Sequence, residues 1–335
     1  MVRAIDVHTH FVPRAMPSSS GRDARWPSIE ISNDDKAAVM IGGKIFRTID
    51  SRSWSGTRRM DDMGDDGIDV QVVSPMPELL SHWFSADDCD ALADHINNAI
   101  AKLCADHSRH FVGIGMVPLQ NPALAARRLE RIQSIGLYGV EIGTHINGIP
   151  LGDPQLDEFY AAAEEADLAI IVHPLHPAGL ERIGSHAALA AVAAFPLETA
   201  FAATSLLTLG VLERHPRLRI LLSHGGGALP WILPRLDRTR ILDPSLQYLF
   251  PRAPKETARQ FYYDTILYED IALRYLADTV GTNNILVGSD YPFAIKQNRP
   301  AEFARNALGL TNTDFARNTS RFLHDDSFAD TQPVE

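Results

Sequence analysis

The segment Ala4-Ile5-Asp6-Val7-His8-Thr9-His10 sets two imidazoles two residues apart at the end of a short apolar run. Side chains alternate along a strand, so His8 and His10 share a face and can chelate one borderline-soft divalent ion such as zinc. Three later apolar runs end in residues of the same kind. Ile170-Ile171-Val172 leads into His173-Pro174, and Leu221-Leu222-Ser223 into His224 with Gly225-Gly226-Gly227 behind it. Ile285-Leu286-Val287 leads into Gly288-Ser289-Asp290-Tyr291-Pro292. The three glycines imply a loop pressed against backbone. His224 reads as a metal ligand or a general base, since imidazole titrates near neutrality. A carboxylate at the end of an apolar strand is costly to bury unless paired or metal-bound, so Asp290 reads as a ligand or a proton-transfer group. A shell of three histidines and one aspartate around one metal leaves room for a water or a substrate oxygen, with His224 beside it as acid or base.

These residues need a scaffold that brings distant strand ends together. Apolar β-type runs at 3–8, 69–74, 111–117, 138–142, 168–173, 219–223, 260–265 and 284–289 alternate with helical patterns such as 86–108, 122–135, 155–166 and 187–214. Runs such as Leu168–Val172 and Leu218–Leu222 suit parallel strands buried on both faces. Eight such units predict an α/β fold of the (β/α)8 TIM-barrel type, whose C-terminal mouth collects catalytic groups. An open doubly wound sheet is the alternative, but no GxGxxG follows the first strand. The chain reads as one domain over 1–335. Residues 12–53 form an insertion after the first strand, with a small β-hairpin, Ala38–Ile41 turning at Gly42-Gly43 into Lys44–Phe46, as a lid over the mouth. Thr331–Glu335 reads as a frayed tail.

The 335 residues carry a net charge of −11, which disfavours nucleic acid and anionic membrane as partners. No apolar run approaches the roughly 20 residues of a bilayer span, and the N-terminus lacks a secretory pattern. Cys89 and Cys104 fall in one helix, too far apart to bridge. Together these place the protein in the cytoplasm.

The chain resembles the amidohydrolase superfamily, and within it the amidohydrolase-related family typified by α-amino-β-carboxymuconate-ε-semialdehyde decarboxylase. The resemblance spans nearly the whole chain. Its anchors are Asp6–Phe11, Gly67–Val72, Val117–Gln120, Ile171–Pro174, Ser223–Gly227 and Gly288–Phe293. It implies that His8, His10, His173 and Asp290 hold one zinc, or another divalent metal such as manganese, and that His224 activates its water or handles the proton. Phe46-Arg47 resembles the family's substrate-carboxylate arginine. Arg235, within Trp231–Asp237, resembles one that reaches into a neighbouring subunit's site, which implies a homodimer. Guanidinium forks suit carboxylates. Strand four reads Tyr138–Gly143, without the carbamylated lysine of two-metal members, which argues for one metal with Glu141 behind the ligands. Leu175 stands where the family's decarboxylases have a tryptophan, and His176 is a candidate polar group of the pocket.

The expected activity is zinc-dependent, non-oxidative decarboxylation of a small aromatic or unsaturated, muconate-type carboxylate. The same machinery supports the alternative of an amide, ester or lactone hydrolase or a hydratase. A non-catalytic barrel protein would lack ligands that this chain has.

Overall fold

The computed structural model describes residues 3–184, 186, 188–249 and 252–329. The tail from Thr331 onward lies outside them. Strand β1 (Ile5–Phe11) is buried throughout. The chain then leaves the barrel for a three-stranded antiparallel sheet, β2 (Ser28–Ile31), β3 (Lys36–Ile41) and β4 (Lys44–Asp50). The β3–β4 turn uses Gly42 and Gly43, both at positive φ, as a two-residue hairpin turn matching the strand twist demands. Ala37, Val39 and Ile49 anchor this sheet on the main core.

The chain returns through the helix Gly56–Asp66 to β5 (Val70–Pro75), then β6 (Phe111–Gly113) and β7 (Gly139–Gly143). A minimal hairpin follows, β8 (His145–Ile146) and β9 (Ile149–Pro150). The remaining strands are β10 (Ala169–His173), β11 (Ile220–Leu222), β12 (Tyr262–Asp264) and β13 (Ile285–Leu286). Two parallel sheets, β1-β5-β6 and β13-β12-β11-β10-β7, are joined by single bridges, Gly115 to Val140 and Thr9 to Tyr291. Val7 N–H donates to the Val287 carbonyl at 2.8 Å and Asp290 N–H to the His8 carbonyl at 2.9 Å. The result is a closed barrel of eight parallel strands.

Val7, Val72, Ile114, Ile171, Leu221 and Leu286, from six different strand segments, meet in one buried cluster that fills the barrel. A larger cluster lies between the strands and the surrounding helices. Between Asp6↔Gln71 and Thr9↔Val73 the register slips, so three residue steps of β1 span two of β5. Such a bulge re-aims side chains. Here it lets Val7 join the inner cluster and the next residue, His8, join the mouth.

Two expectations need correction. The helix expected over 187–214 ends at Thr208, because Gly210 takes a left-handed conformation and starts a separate turn, Val211–Arg214. The stretch Ala190–Thr208 is also long and apolar enough, by length and composition, to cross a membrane. Its alanines hide this in a scan for bulky apolar runs. In the fold its Ala200, Ala203, Leu206 and Leu207 pack on the core, and Glu198 is buried within it.

Candidate metal centre and active site

His8, His10, His173, His224 and Asp290 converge at the mouth of the barrel. The imidazole centroids of His8, His10 and His173 lie 4.9–5.2 Å from one another, and that of His224 lies 5.1 Å from His173. Donor atoms of His8, His173, His224 and Asp290 all fall within 4.8 Å of one another. His10 completes the group from the other side, its Nε2 3.1 Å from both His8 Nε2 and Asp290 Oδ1.

The hydrogen bonds behind the rings set their tautomers. Carbonyl oxygens only accept, so His10 Nδ1 donates to the Pro75 carbonyl at 3.2 Å and His173 Nδ1 to the Pro174 carbonyl at 3.0 Å. His8 Nδ1 donates to Asp264 Oδ2 at 2.7 Å. Each proton therefore sits on the outer nitrogen, and three Nε2 lone pairs point inward beside a carboxylate. His173 Nε2 is buried with no hydrogen-bond partner, and the facing Nε2 atoms of His8 and His10 have no proton to share. Lone pairs so arranged repel one another unless a cation lies among them, and a mixed nitrogen and oxygen set suits a divalent transition metal. The residues fit such an ion.

The charges agree with this. Burial, and then the neighbouring histidines, keep His173 neutral far below the usual histidine range. Asp290 is buried, which opposes its charge, but the contact with His224, whose Nε2 is free to carry a proton, holds it ionised well below the ordinary carboxyl range. His224 is the opposite case. Burial disfavours its protonation, yet Asp290, whose Oδ2 lies 3.8 Å from Nε2, followed by Asp264, raises its affinity for a proton. Glu141, on β7, is fully buried and pushed up to about 8, mainly by desolvation. It accepts from Ser74 Oγ at 2.5 Å, lies 3.9 Å from His10 Nδ1 and leaves Oε1 unpartnered.

Above this cluster opens a cavity of about 820 Å³. Its walls are mostly apolar, with Leu175, Phe195, Leu267 and Phe293 among them, and its floor reaches His173, His224 and Asp290. Arg47, from β4, enters it with the guanidinium 4.5 Å from the Phe293 ring and no carboxylate within ion-pair distance among the described residues. His176 is not among the lining residues. It is half-exposed at the rim, where Nε2 lies 3.3 Å from Glu78 Oε1. Arg235 is exposed on the helix Leu229–Leu242 and lies outside this chain's own cavity.

Several site residues escaped the sequence reading. Asp264 ends β12 and accepts from His8 Nδ1, from the backbone N–H groups of His224 (2.9 Å) and Gly225 (2.8 Å), and from Ile266 N–H (3.2 Å). Its signal was available, because Tyr262-Tyr263-Asp264 ends a strand in an acid as Asp290 does. Arg59, fully buried, donates to the His10 carbonyl, to Gln71 Oε1 at 2.9 Å and to Thr9 Oγ1 at 3.3 Å. Glu78 and Tyr268 line the cavity, and no sequence pattern marks either.

The amidohydrolase family profile matches residues 5–317. The chain belongs to the amidohydrolase family. Within the family, its curated relatives include several decarboxylases. It is 30% identical over 313 residues to 2-amino-3-carboxymuconate-6-semialdehyde decarboxylase of Dictyostelium discoideum, covering 92% of this chain and 87% of that one. It is 32% identical over 303 residues to 6-methylsalicylic acid decarboxylase of Penicillium expansum, covering 87% and 85%. Among solved structures it resembles 5-carboxyvanillate decarboxylase of Sphingomonas paucimobilis, with a TM-score of 0.74, 28% identity and coverage of 82% and 85%. These relatives identify the chain as an enzyme of the metal-dependent decarboxylase branch.

Proposed function

We propose that this amidohydrolase-family enzyme removes CO2, without oxidation, from a small aromatic or muconate-type carboxylate. The observation that carries the reading is the set of inward-facing Nε2 lone pairs beside Asp290, at the floor of an apolar cavity that holds a guanidinium with no ion-pair partner among the described residues. His8, His10, His173 and Asp290 hold the metal, with zinc the first choice and manganese the second. When bound, the metal supplies a Lewis acid that polarises a substrate oxygen next to the scissile carboxylate.

The protein does the rest. Arg47 binds and orients a carboxylate of the substrate. The apolar walls exclude water and strengthen that contact. His10 does not line this cavity, whereas His224 does, and its raised proton affinity makes His224 the proton donor. As the bond to the carboxylate carbon breaks, its electron pair stays on the substrate carbon, and the His224 Nε2 proton is delivered there. CO2 leaves, and the imidazole recovers a proton from solvent.

The whole chain acts as one domain, with residues 12–53 as a lid over the mouth. The working unit is a homodimer. Val192, Leu197 and Phe201 expose an apolar face, and Trp231 lies exposed one turn before Arg235, which reaches toward the partner's cavity. Both cysteines are free thiols, in keeping with a reducing cytoplasm.

The test is the mass change of product when the metal-loaded enzyme meets aromatic and muconate-type carboxylates, amides and lactones. Loss of 44 mass units, that of CO2, is expected (about 44 by the stoichiometry of a carboxy-lyase). Gain of water instead would replace this reading with a hydrolase or hydratase on the same site.

A further inference from the structure

The cavity carries one feature that the proposed chemistry does not use. Glu78, in the short turn Pro77–Leu80 after β5, is, among the described residues, the only acidic lining residue other than Asp290. Its side chain is 16% exposed, in a wall that is otherwise mostly apolar. A carboxylate placed there is costly unless a partner meets it. The protein supplies one partner for one oxygen, His176 Nε2 at 3.3 Å from Oε1. Among the described residues nothing donates to Oε2.

His176 is held for this contact. Its backbone is left-handed (φ 48°), an unusual conformation for a histidine. Its ring lies 4.5 Å from that of Trp83, and its carbonyl meets His145 Nε2 at 3.2 Å. The cavity is therefore polarised. Arg47 presents a cation without an ion-pair partner among the described residues, and Asp290 and Glu78 are the carboxylates whose fields reach it.

We propose that Glu78 determines substrate specificity by accepting a hydrogen bond from an amino or hydroxyl substituent of the carboxylate substrate, with His176 as the positioning residue that aims it. The preferred substrate then bears both an anion, for Arg47 and the metal, and a donor on a different carbon. A methyl group at the donor's place strands the Glu78 oxygen and is rejected. This deepens the decarboxylase reading above and rests on it for the identity of the bound anion.

The test uses metal-loaded full-length enzyme and six probes, 3-, 4- and 5-amino-2-hydroxybenzoate and their three methyl counterparts. Calorimetric Kd is measured for all, kcat/KM for any that turn over, and released CO2 in the same samples. Wild type is expected to favour the amino member at one ring position by about tenfold. Glu78→Leu should bring that ratio to about one while leaving the methyl member's Kd within about twofold. Glu78→Gln, which keeps an acceptor, should retain part of the preference, and His176→Phe, which keeps a ring against Trp83, should lose about threefold of it. Equal binding of amino and methyl members by wild type at every position would overturn the assignment, as would an undiminished ratio in Glu78→Leu. If Glu78→Leu fails to fold, Glu78→Gln and His176→Phe decide, and an unchanged ratio in both overturns it. Absence of CO2 from every probe, with the Kd ratios behaving as expected, would sink the decarboxylase reading and leave Glu78 in place.

Discussion

Asp264→Asn is the substitution that probes the proposed metal centre most sharply without replacing any of the residues proposed to hold the metal. Oδ2 accepts from His8 Nδ1 at 2.7 Å and from His224 N–H at 2.9 Å, and Oδ1 accepts from Gly225 N–H at 2.8 Å and Ile266 N–H at 3.2 Å. Asparagine replaces one oxygen with a donor, so either orientation sets an amide nitrogen against two N–H groups. At about 1–3 kcal/mol for each stranded donor, the metal-free protein loses about 2–6 kcal/mol of stability. The second effect is on the ring. If the amide nitrogen faces His8, Nδ1 must accept, the ring proton moves to Nε2, and the inward lone pair is gone. If the amide oxygen faces it, a weaker neutral acceptor replaces a carboxylate. Loss of such a group behind a metal-bound histidine costs about 10–100-fold in metal affinity, or about 1.4–2.7 kcal/mol. Chelator competition followed by elemental analysis gives the affinity, and urea unfolding of the metal-free protein gives the stability. A metal affinity within about threefold of wild type, far below the range expected for this group, would refute the reasoning and reduce Asp264 to a clamp on the His224 loop. Asp264 is also held below the ordinary carboxyl range, since its contacts with His8 outweigh its burial. The stability it contributes is complete above the unfolded carboxyl's pKa of about 4 and fades as pH falls toward the lower folded value. The variant should lack that acid-side loss.

The other predictions concern the supports and the proton. Arg59→Met should cost about 3–5 kcal/mol in urea unfolding, because the carbonyl of His10 and the side-chain oxygens of Gln71 and Thr9 lose a buried donor. A change below about 1 kcal/mol would mean the guanidinium is not needed there. Gly227 sits at φ 59°, and a Cβ on it would strike the Pro196 carbonyl. Gly227→Ala should therefore lower Tm and displace the His224 loop, visible as lost turnover with metal content retained. Added metal should raise Tm in proportion to the logarithm of its free concentration, by about 2.7 kcal/mol of stability at 100 times Kd. His224→Ala should keep the metal and lose turnover by about 100-fold or more, and full activity would remove it as the proton donor.

The cluster of polar side chains at the barrel mouth was legible in the sequence because of a general rule about strands. A polar residue that ends an apolar run is either wasted or functional, and His8, His10, His173, His224 and Asp290 all end such runs. The alternation of apolar strands with helices then implies a barrel, which brings those ends together. Arg47 was legible only through its resemblance to a family motif.

The tertiary structure decided what depends on contacts between distant residues. Which nitrogen of His8 faces the centre is set by Asp264, 256 residues away. The bulge that turns His8 inward after Val7 exists only in the pairing of β1 with β5. His176 was expected as a pocket group, and at the rim it meets Glu78, 98 residues earlier, which nothing in its local sequence singles out. Local sequence encodes which side chains can do chemistry, since backbone preference and apolar period act over a few residues. Tautomer, proton affinity and the polarity of a cavity wall arise from groups brought together by closing the barrel, and a short-range pattern carries no record of them.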